Sequence, residues 1–389
     1  MALSRAVDPR VGLRSESGFG WALAGIGLAG LCAAVAARPS EARAAAAQVW
    51  TPFVLVAGLL LIGLVAADDG LFDAAGHQLA RTARSGAVIF AGAVAMVGVV
   101  TAFLNLDTAV AFLTPVLVYT ARSRGEGEAP LLYGCLLLAN AGSLFLPGSN
   151  LTNLIVVGHL HLTGGQFFAR MWAPGLAALL VTAGVVAGFG RKALRVRSEG
   201  LGRPERPVLG LGLLAVVAAA VLVVLLRSPA LPVVAIGLAA VGVRIAAGRE
   251  RLGHAIGVLG LPVLVGLFGV AVALGTLGRV WTGPATLLSH LDPWGTAVVA
   301  ASASVFINNL PAASLLAAHR PQNPYPLLIG LNIGPNLFVT GSLAWFLWLR
   351  AARAAGARPS LAAASRIGVV AVPLSLAAAV GLLVLLGTH

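Results

Sequence analysis

Four short segments concentrate side chains able to bind or carry something in a chain that is otherwise almost wholly apolar. FLNLDTAVAFLTP (103–115) holds Asp107, the one charged residue between Arg84 and Arg122. A carboxylate in hydrocarbon is expensive unless it caps a helix, pairs, or exchanges a proton or cation, so its presence signals a task. LANAGSLFLPGSNLTNL (138–154), FINNLPAAS (306–314) and IGLNIGPNLFVTGSLAWFLW (329–348) set Asn, Ser and Thr beside Gly and Pro. Amides and hydroxyls both donate and accept hydrogen bonds. Gly and Pro break helices, and backbone groups freed at membrane depth are tolerated only inside protein or along a cavity. The combination predicts a polar chamber rather than a catalytic site, because Asp107 has no acidic or histidine partner at that depth for acid–base work.

The chain that must hold these segments has 389 residues, 59% hydrophobic and 10% charged, with mean hydropathy +0.94. Apolar runs near 20 residues recur along it, the length a helix needs to cross about 30 Å of hydrocarbon. This is the pattern of an all-α polytopic protein of the cell (inner) membrane, with spans at 17–37, 48–67, 167–190, 207–227, 230–246, 254–277 and 367–387. The net charge of +13 does not point to nucleic acid, since the arginines lie between apolar runs and not on one face or tail. RKALRVRSEGLGRPERP (191–207) is a linker of the kind the positive-inside rule keeps cytoplasmic. Cys32 and Cys135 both fall in apolar runs, which leaves neither a disulfide framework nor a thiolate metal site. Arginines precede the first run and no small-residue cleavage site follows it, so the first helix is expected to be retained. No Walker lysine motif is present; no cofactor and no ATP hydrolysis by this chain are expected. A separate ATPase subunit and a homodimer stay open as partners.

The special segments occur in the same order twice. ADDGLFDAAGHQLARTARS (67–85) has the spacing of an amphipathic interfacial helix, and RVWTGPATLLSHLDP (279–293) is a weaker counterpart. After each comes a run broken at Asn, then a second run broken by Gly, Pro, Ser and Asn. The division expected is a first repeat over 1–190, a basic cytoplasmic linker over 191–206 and a second repeat over 207–389. Within them stand hairpins at about 86–120 and 293–318 and broken helices at about 130–160 and 325–349. Arg122, Arg124 and the groups at 191–206, 244–251 and 350–366 share one side if the two hairpins enter from opposite faces; Arg38, Arg43, Arg227 and Arg320 fall on the other.

The four segments together resemble the signatures of the ion transporter superfamily, and most closely the arsenite and antimonite efflux pump family. NNLP, then IG-x-x-x-GP, then GSLA-x-x-LW is the most specific part. The resemblance implies two inverted-topology repeats, each with a re-entrant helical hairpin and a discontinuous transmembrane helix. It implies a substrate site of Asn105, Thr108, Ser149, Asn150, Thr152, Asn153, Asn308, Asn309, Thr340, Gly341 and Ser342, with Asp107 for proton or ion coupling. In that family an acidic residue usually stands where this chain has Asn140 and Asn332, which would here give polar support.

Arsenite at neutral pH is mostly an uncharged trihydroxide, which suits Asn, Ser and Thr; no Lys or Arg of the expected cavity demands an anion. Half-helix N-termini could still neutralise a carboxylate, and carbonyls at Gly148 and Gly341 could ligate sodium. The leading expectation is therefore a secondary transporter exporting arsenite or antimonite in exchange for protons. A sodium-coupled carboxylate or anion transporter, or a sodium/proton antiporter, is the alternative; an enzyme is not expected. Blander readings stand beside these: Asp107 as the cap of a half-helix beginning at Thr108, and Asn140 and Asn332 as ties between helices. His159 and His161 read as surface loop, His254, His290 and His319 as solvated, and Asp68, Asp69 and Asp73 as the wet face of an interfacial helix.

Overall fold

The fold is taken from a computed structural model, which describes residues 13–83, 85–125, 127–195 and 210–387. Of the expected linker 191–206, the part beyond 195 lies outside the described residues. Every regular element among them is helical, as an apolar chain in lipid requires, because a helix satisfies its backbone within one segment. The first half runs α1 (Leu13–Ala37), α2 (Pro39–Asp68), α3 (Leu71–Thr82), α4 (Gly86–Leu104), α5 (Leu106–Ser123), α6 (Ala129–Gly142), α7 (Leu151–Val157), α8 (Gly164–Phe189) and the single turn α9 (Arg191–Leu194). The second runs α10 (Leu211–Leu225), α11 (Ala230–Ala246), α12 (Leu252–Leu259), α13 (Leu261–Val280), α14 (Gly283–Ser289), α15 (Pro293–Ile307), α16 (Asn309–Leu316), α17 (Pro324–Ile333), α18 (Ala344–Ala354) and α19 (Leu361–Leu385).

Six segments are long and apolar enough to cross a membrane, among them Pro39–Asp68, Gly164–Phe189 and Leu361–Leu385. The protein is a multi-pass membrane protein. Two spans differ from the sequence reading. The one expected at 48–67 begins at Pro39, because proline suits a first helical turn and the alanines that follow are strong helix formers. The one expected at 254–277 is cut at Gly260, whose φ of +57 ends α12 and starts α13; hydropathy alone does not register a left-handed residue. The amphipathic element of 67–85 is α3, lying on α5 with Phe72 stacked on Phe112. Its expected counterpart in 279–293 is reduced to the seven-residue α14.

The expected breaks are present. α4 and α5 are separated by one residue, Asn105, and α15 and α16 by Asn308 alone. α6 unwinds after Gly142 and resumes as α7, while α17 unwinds after Ile333 and resumes as α18. What holds these pieces is close backbone packing and buried indole nitrogens. α17 lies on α15 so tightly that a Cβ at Gly330 would stand 2.2 Å from the Ala297 carbonyl oxygen, which only glycine permits. Trp345 and Trp348, both fully buried, donate to the carbonyls of Pro335 (2.7 Å) and Leu132 (2.8 Å), pinning α18 to the unwound segment and to α6. At the ends, Arg122 bonds Glu128 and the carbonyls of Ala355 and Gly356, and Arg244 pairs with Asp69.

Gly330→Leu is expected to push α15 off α17 and destabilise the fold by about 2 kcal/mol or more. A thermal unfolding midpoint equal to wild type in detergent would contradict that packing.

Candidate functional site

Asn105 and Asn308 are built alike. Each follows a helix with a positive φ, +87° and +71°, at ψ of 166° and 147°, a region close to one reserved for glycine. Asparagine offsets that strain by capping. The Asn105 Oδ1 accepts from the Thr108 N–H at 2.8 Å, and the Asn308 Oδ1 from the Leu310 N–H at 3.3 Å, so each break starts a new helix with one free N–H satisfied. The cap of α5 is thus Asn105 and not Asp107, which corrects the blander reading of the carboxylate. Asp107 is the second residue of α5, half-buried, and among the described residues no hydrogen bond or ion pair holds it.

Each break leans on its own unwound helix. The Ser149 hydroxyl reaches the Ala102 carbonyl (3.3 Å) just before the first break. At the second, Asn308 donates to the Thr340 carbonyl (3.2 Å), the Asn309 N–H to the Gly341 carbonyl (2.9 Å) and the Thr340 hydroxyl to the Val305 carbonyl (2.7 Å). The Gly341 oxygen is therefore already engaged, which weakens the idea of it as a sodium ligand.

The two unwound helices meet in a closed amide network centred on Asn332. Its Oδ1 accepts from the Ser143 hydroxyl (2.6 Å) and the Asn150 amide (2.7 Å), while its Nδ2 donates to Asn153 Oδ1 (2.7 Å) and the Leu328 carbonyl (2.8 Å). Asn140 joins beside it, donating to Asn336 Oδ1 at 2.9 Å, and Asn336 donates back to the Leu137 carbonyl at 3.0 Å. Asn140, Asn332 and Asn336 are fully buried. Asn140 and Asn332 thus tie helices of the two halves together. Ser143 and Asn336, central here, went unnamed in the sequence reading; Ser143 lies three residues after Asn140 and Asn336 follows the Gly–Pro break, which is the signal that marks them.

Some polar atoms at the breaks remain unsatisfied. The Nδ2 of Asn105, the hydroxyls of Thr101, Thr108, Thr152 and Ser342 and the Oδ1 of Asn140 are buried with no hydrogen-bond partner among the described residues. Thr108 presses its methyl onto Gly63 of α2, where a Cβ would stand 2.5 Å away. The first break is sealed, with Asn105 2% exposed, whereas at the second Asn308 is half-buried, Thr340 exposed and Phe306 82% exposed. A further tie reaches both half-helices. Gln48 of α2 donates to the carbonyls of Ile155 in α7 (3.1 Å) and Ala317 after α16 (3.0 Å), and its own oxygen accepts from Arg279 at 2.6 Å. Among the described residues one trio, Asp68, Glu250 and His254, brings possible metal ligands together; Arg244 bonds Asp68 within it, the arrangement of an ion-pair network.

The citrate transporter family profile, CitMHS, matches residues 15–334 of this chain. The arsenical pump membrane proteins of Yersinia enterocolitica and of Escherichia coli strain K12 are each 24% identical to it over 339 residues, covering 77% of this chain and 78% of theirs. Inner membrane protein YbiR of Escherichia coli strain K12 is 28% identical over 314 residues, covering 79% of this chain and 81% of its own. The crystal structure of the Alcanivorax borkumensis YdaH transporter superposes with a TM-score of 0.53 at 16% identity, over 90% of this chain and 88% of that one, a likeness of fold.

Asn332→Ala strips partners from Ser143, Asn150 and Asn153 together, and is expected to cost about 2 kcal/mol or more, read as a lowered unfolding midpoint. Asn105→Gly relieves the positive φ while losing the cap, so it should unfold near the wild-type midpoint, and Asn105→Ala about 1–2 kcal/mol below it. Equal midpoints for the Gly and Ala variants would show that the backbone at Asn105 is not strained.

Proposed function

The chain belongs to the citrate transporter (CitMHS) family, and from that premise we propose that it is a secondary active transporter exporting arsenite or antimonite in exchange for protons. In this reading residues 1–190 and 207–389 are two inverted repeats joined by the cytoplasmic linker 191–206. The α4–α5 and α15–α16 pairs re-enter from opposite faces, and the two unwound helices supply the walls of the chamber. The observation that carries it is the pairing of orphaned polar atoms at the breaks with one carboxylate, Asp107, that no hydrogen bond or ion pair holds among the described residues. Neutral amides and hydroxyls match a trihydroxide whose hydroxyls each donate and accept.

Substrate contacts are assigned to Asn105, Thr108, Ser149, Asn150, Thr152, Asn153, Asn308, Asn309, Thr340, Gly341 and Ser342. Those with unsatisfied atoms, Asn105, Thr108, Thr152 and Ser342, are the ones with capacity to spare. Asp107 takes up a proton when cargo leaves and yields it when cargo binds. Asn140 and Asn332 hold the walls. The arsenical pump relatives support the cargo, and the half-exposed carboxylate supports the coupling.

A second reading is favoured by the family's own description: a carboxylate cargo, neutralised by the N-termini of α5 and α16 where the breaks begin them.

Everted vesicles carrying the protein are expected to accumulate arsenite and antimonite when a proton gradient is imposed, and Asp107→Asn to reduce that uptake at least about tenfold with the protein still folded. Accumulation of citrate and not arsenite would replace the first cargo by the second, and wild-type uptake by Asp107→Asn would remove the coupling role.

A further inference from the structure

A cavity of about 560 Å³ opens between the start of α8, the turn after α7, the α16–α17 loop and the end of α19. Its lining includes Arg170, Arg320, Gln322 and Tyr325, and neither aspartate nor glutamate. Both guanidiniums lack a carboxylate partner among the described residues. Arg170 is held over the Tyr325 ring, 5.9 Å from guanidinium carbon to centroid, and that ring is itself buried against Phe167. The turn that holds His159 and His161 supplies Leu160 and Leu162 to the lining. The first turn of α17 also faces the cavity through Pro324 and Tyr325, and adds the positive end of its dipole.

The position of these charges is itself informative. α8 runs from this cavity to Gly190, which sits on Pro130 near the Arg122–Glu128 pair, so the cavity lies at the opposite end of the bundle from Arg122. By the charge asymmetry of the loops that end is the one that should be poor in arginine, and Arg320 is one of the residues out of place there. Arg170 and Arg320, both exposed and without a carboxylate partner among the described residues, converge on one cavity. Guanidiniums supply planar forks of donors that match carboxylate and phosphate oxygens.

We propose that this cavity is an anion-binding vestibule, in which Arg170 and Arg320 together hold a small carboxylate or phosphate-type oxyanion. It is separate from the chamber at the breaks. α17 links the two, beginning in the vestibule at Pro324 and carrying Asn332 about 12 Å further along its axis. An anion bound there draws on both guanidiniums and the α17 dipole, so it couples to the helix whose other end organises the chamber. The inference does not rest on the arsenite reading, since arsenite carries no charge for these arginines to hold.

The test uses the full chain in nanodiscs of neutral phosphatidylcholine, titrated calorimetrically with citrate and, separately, with inorganic phosphate. Saturable binding of at least one anion is expected, with Arg170→Gln and Arg320→Gln each weakening it about tenfold, and Arg320→Lys weakening it less. Unfolding midpoints of the variants check that each is folded. Neither anion binding, or binding that persists in the Arg170→Gln/Arg320→Gln double variant, overturns the site. Binding that Asp107→Asn abolishes while the arginine variants keep it also overturns it, and assigns the anion to the chamber. Competition by added phosphatidylglycerol that depends on the two arginines supports the site and identifies a lipid headgroup as its source of anion.

Discussion

A peptide group that leaves its helix inside an apolar bundle must find another partner, and the rest of this structure follows from two places where the chain does so. At Asn105 and Asn308 the backbone turns through a conformation that costs a side-chain-bearing residue on the order of 1–3 kcal/mol. Asparagine is strained at such angles, but its side chain caps the helix that follows. The carbonyls and hydroxyls of the unwound segments at 149 and 340–342 meet the breaks. Strain and satisfaction are therefore concentrated at the same few positions, as a binding site built from backbone requires.

The network that joins the halves is neutral. Asn332 takes four hydrogen bonds on one buried amide, and beside it Asn140 donates to Asn336, which donates in turn to the Leu137 carbonyl. Carboxylates at positions 140 and 332 would bring charge into the junction and would need cations or protons to close it; amides close it by themselves. The consequence is that Asp107 stands alone as the charged group at the breaks. It lies between Leu106 and Thr108 on α5, and the unsatisfied atoms at the breaks are donors and acceptors without charge. Both proposed cargoes, an uncharged hydroxide and a carboxylate met by helix N-termini, rest on this balance of charge.

The halves are not equivalent in their surroundings. The first break is sealed behind α2, and the second is open at the surface with Phe306 and Phe338 exposed beside it. α2 is the element that touches both: Gly63 receives Thr108, and Gln48 bridges the ends of α7 and α16 under Arg279. Gln48 and Gly63 stand 15 residues apart on this helix, about 22 Å along its axis, so a single element reaches both. The arginine-lined vestibule completes the picture at one end of the bundle, where α17 begins.

Much of this was legible in the amino-acid sequence, for a simple reason. Hydropathy over some 20 residues reports a span whatever its neighbours are, and Gly, Pro and Asn interrupt helices by local chemistry, so the class, the breaks near 105, 147, 308 and 335 and the candidate polar residues could all be read from order alone. Which groups are used against each other is a matter of distance across the fold. Only packing decides that Asn105 caps α5 in place of Asp107, that Asn332 bonds Asn150 and Asn153 some 180 residues away, and that Gln48 serves both halves. Arg170 and Arg320, 150 positions apart, read as unrelated loop charges until α8 and α17 bring them to one cavity. Local sequence determines where a chain can stop being a helix; tertiary structure alone determines what satisfies it there.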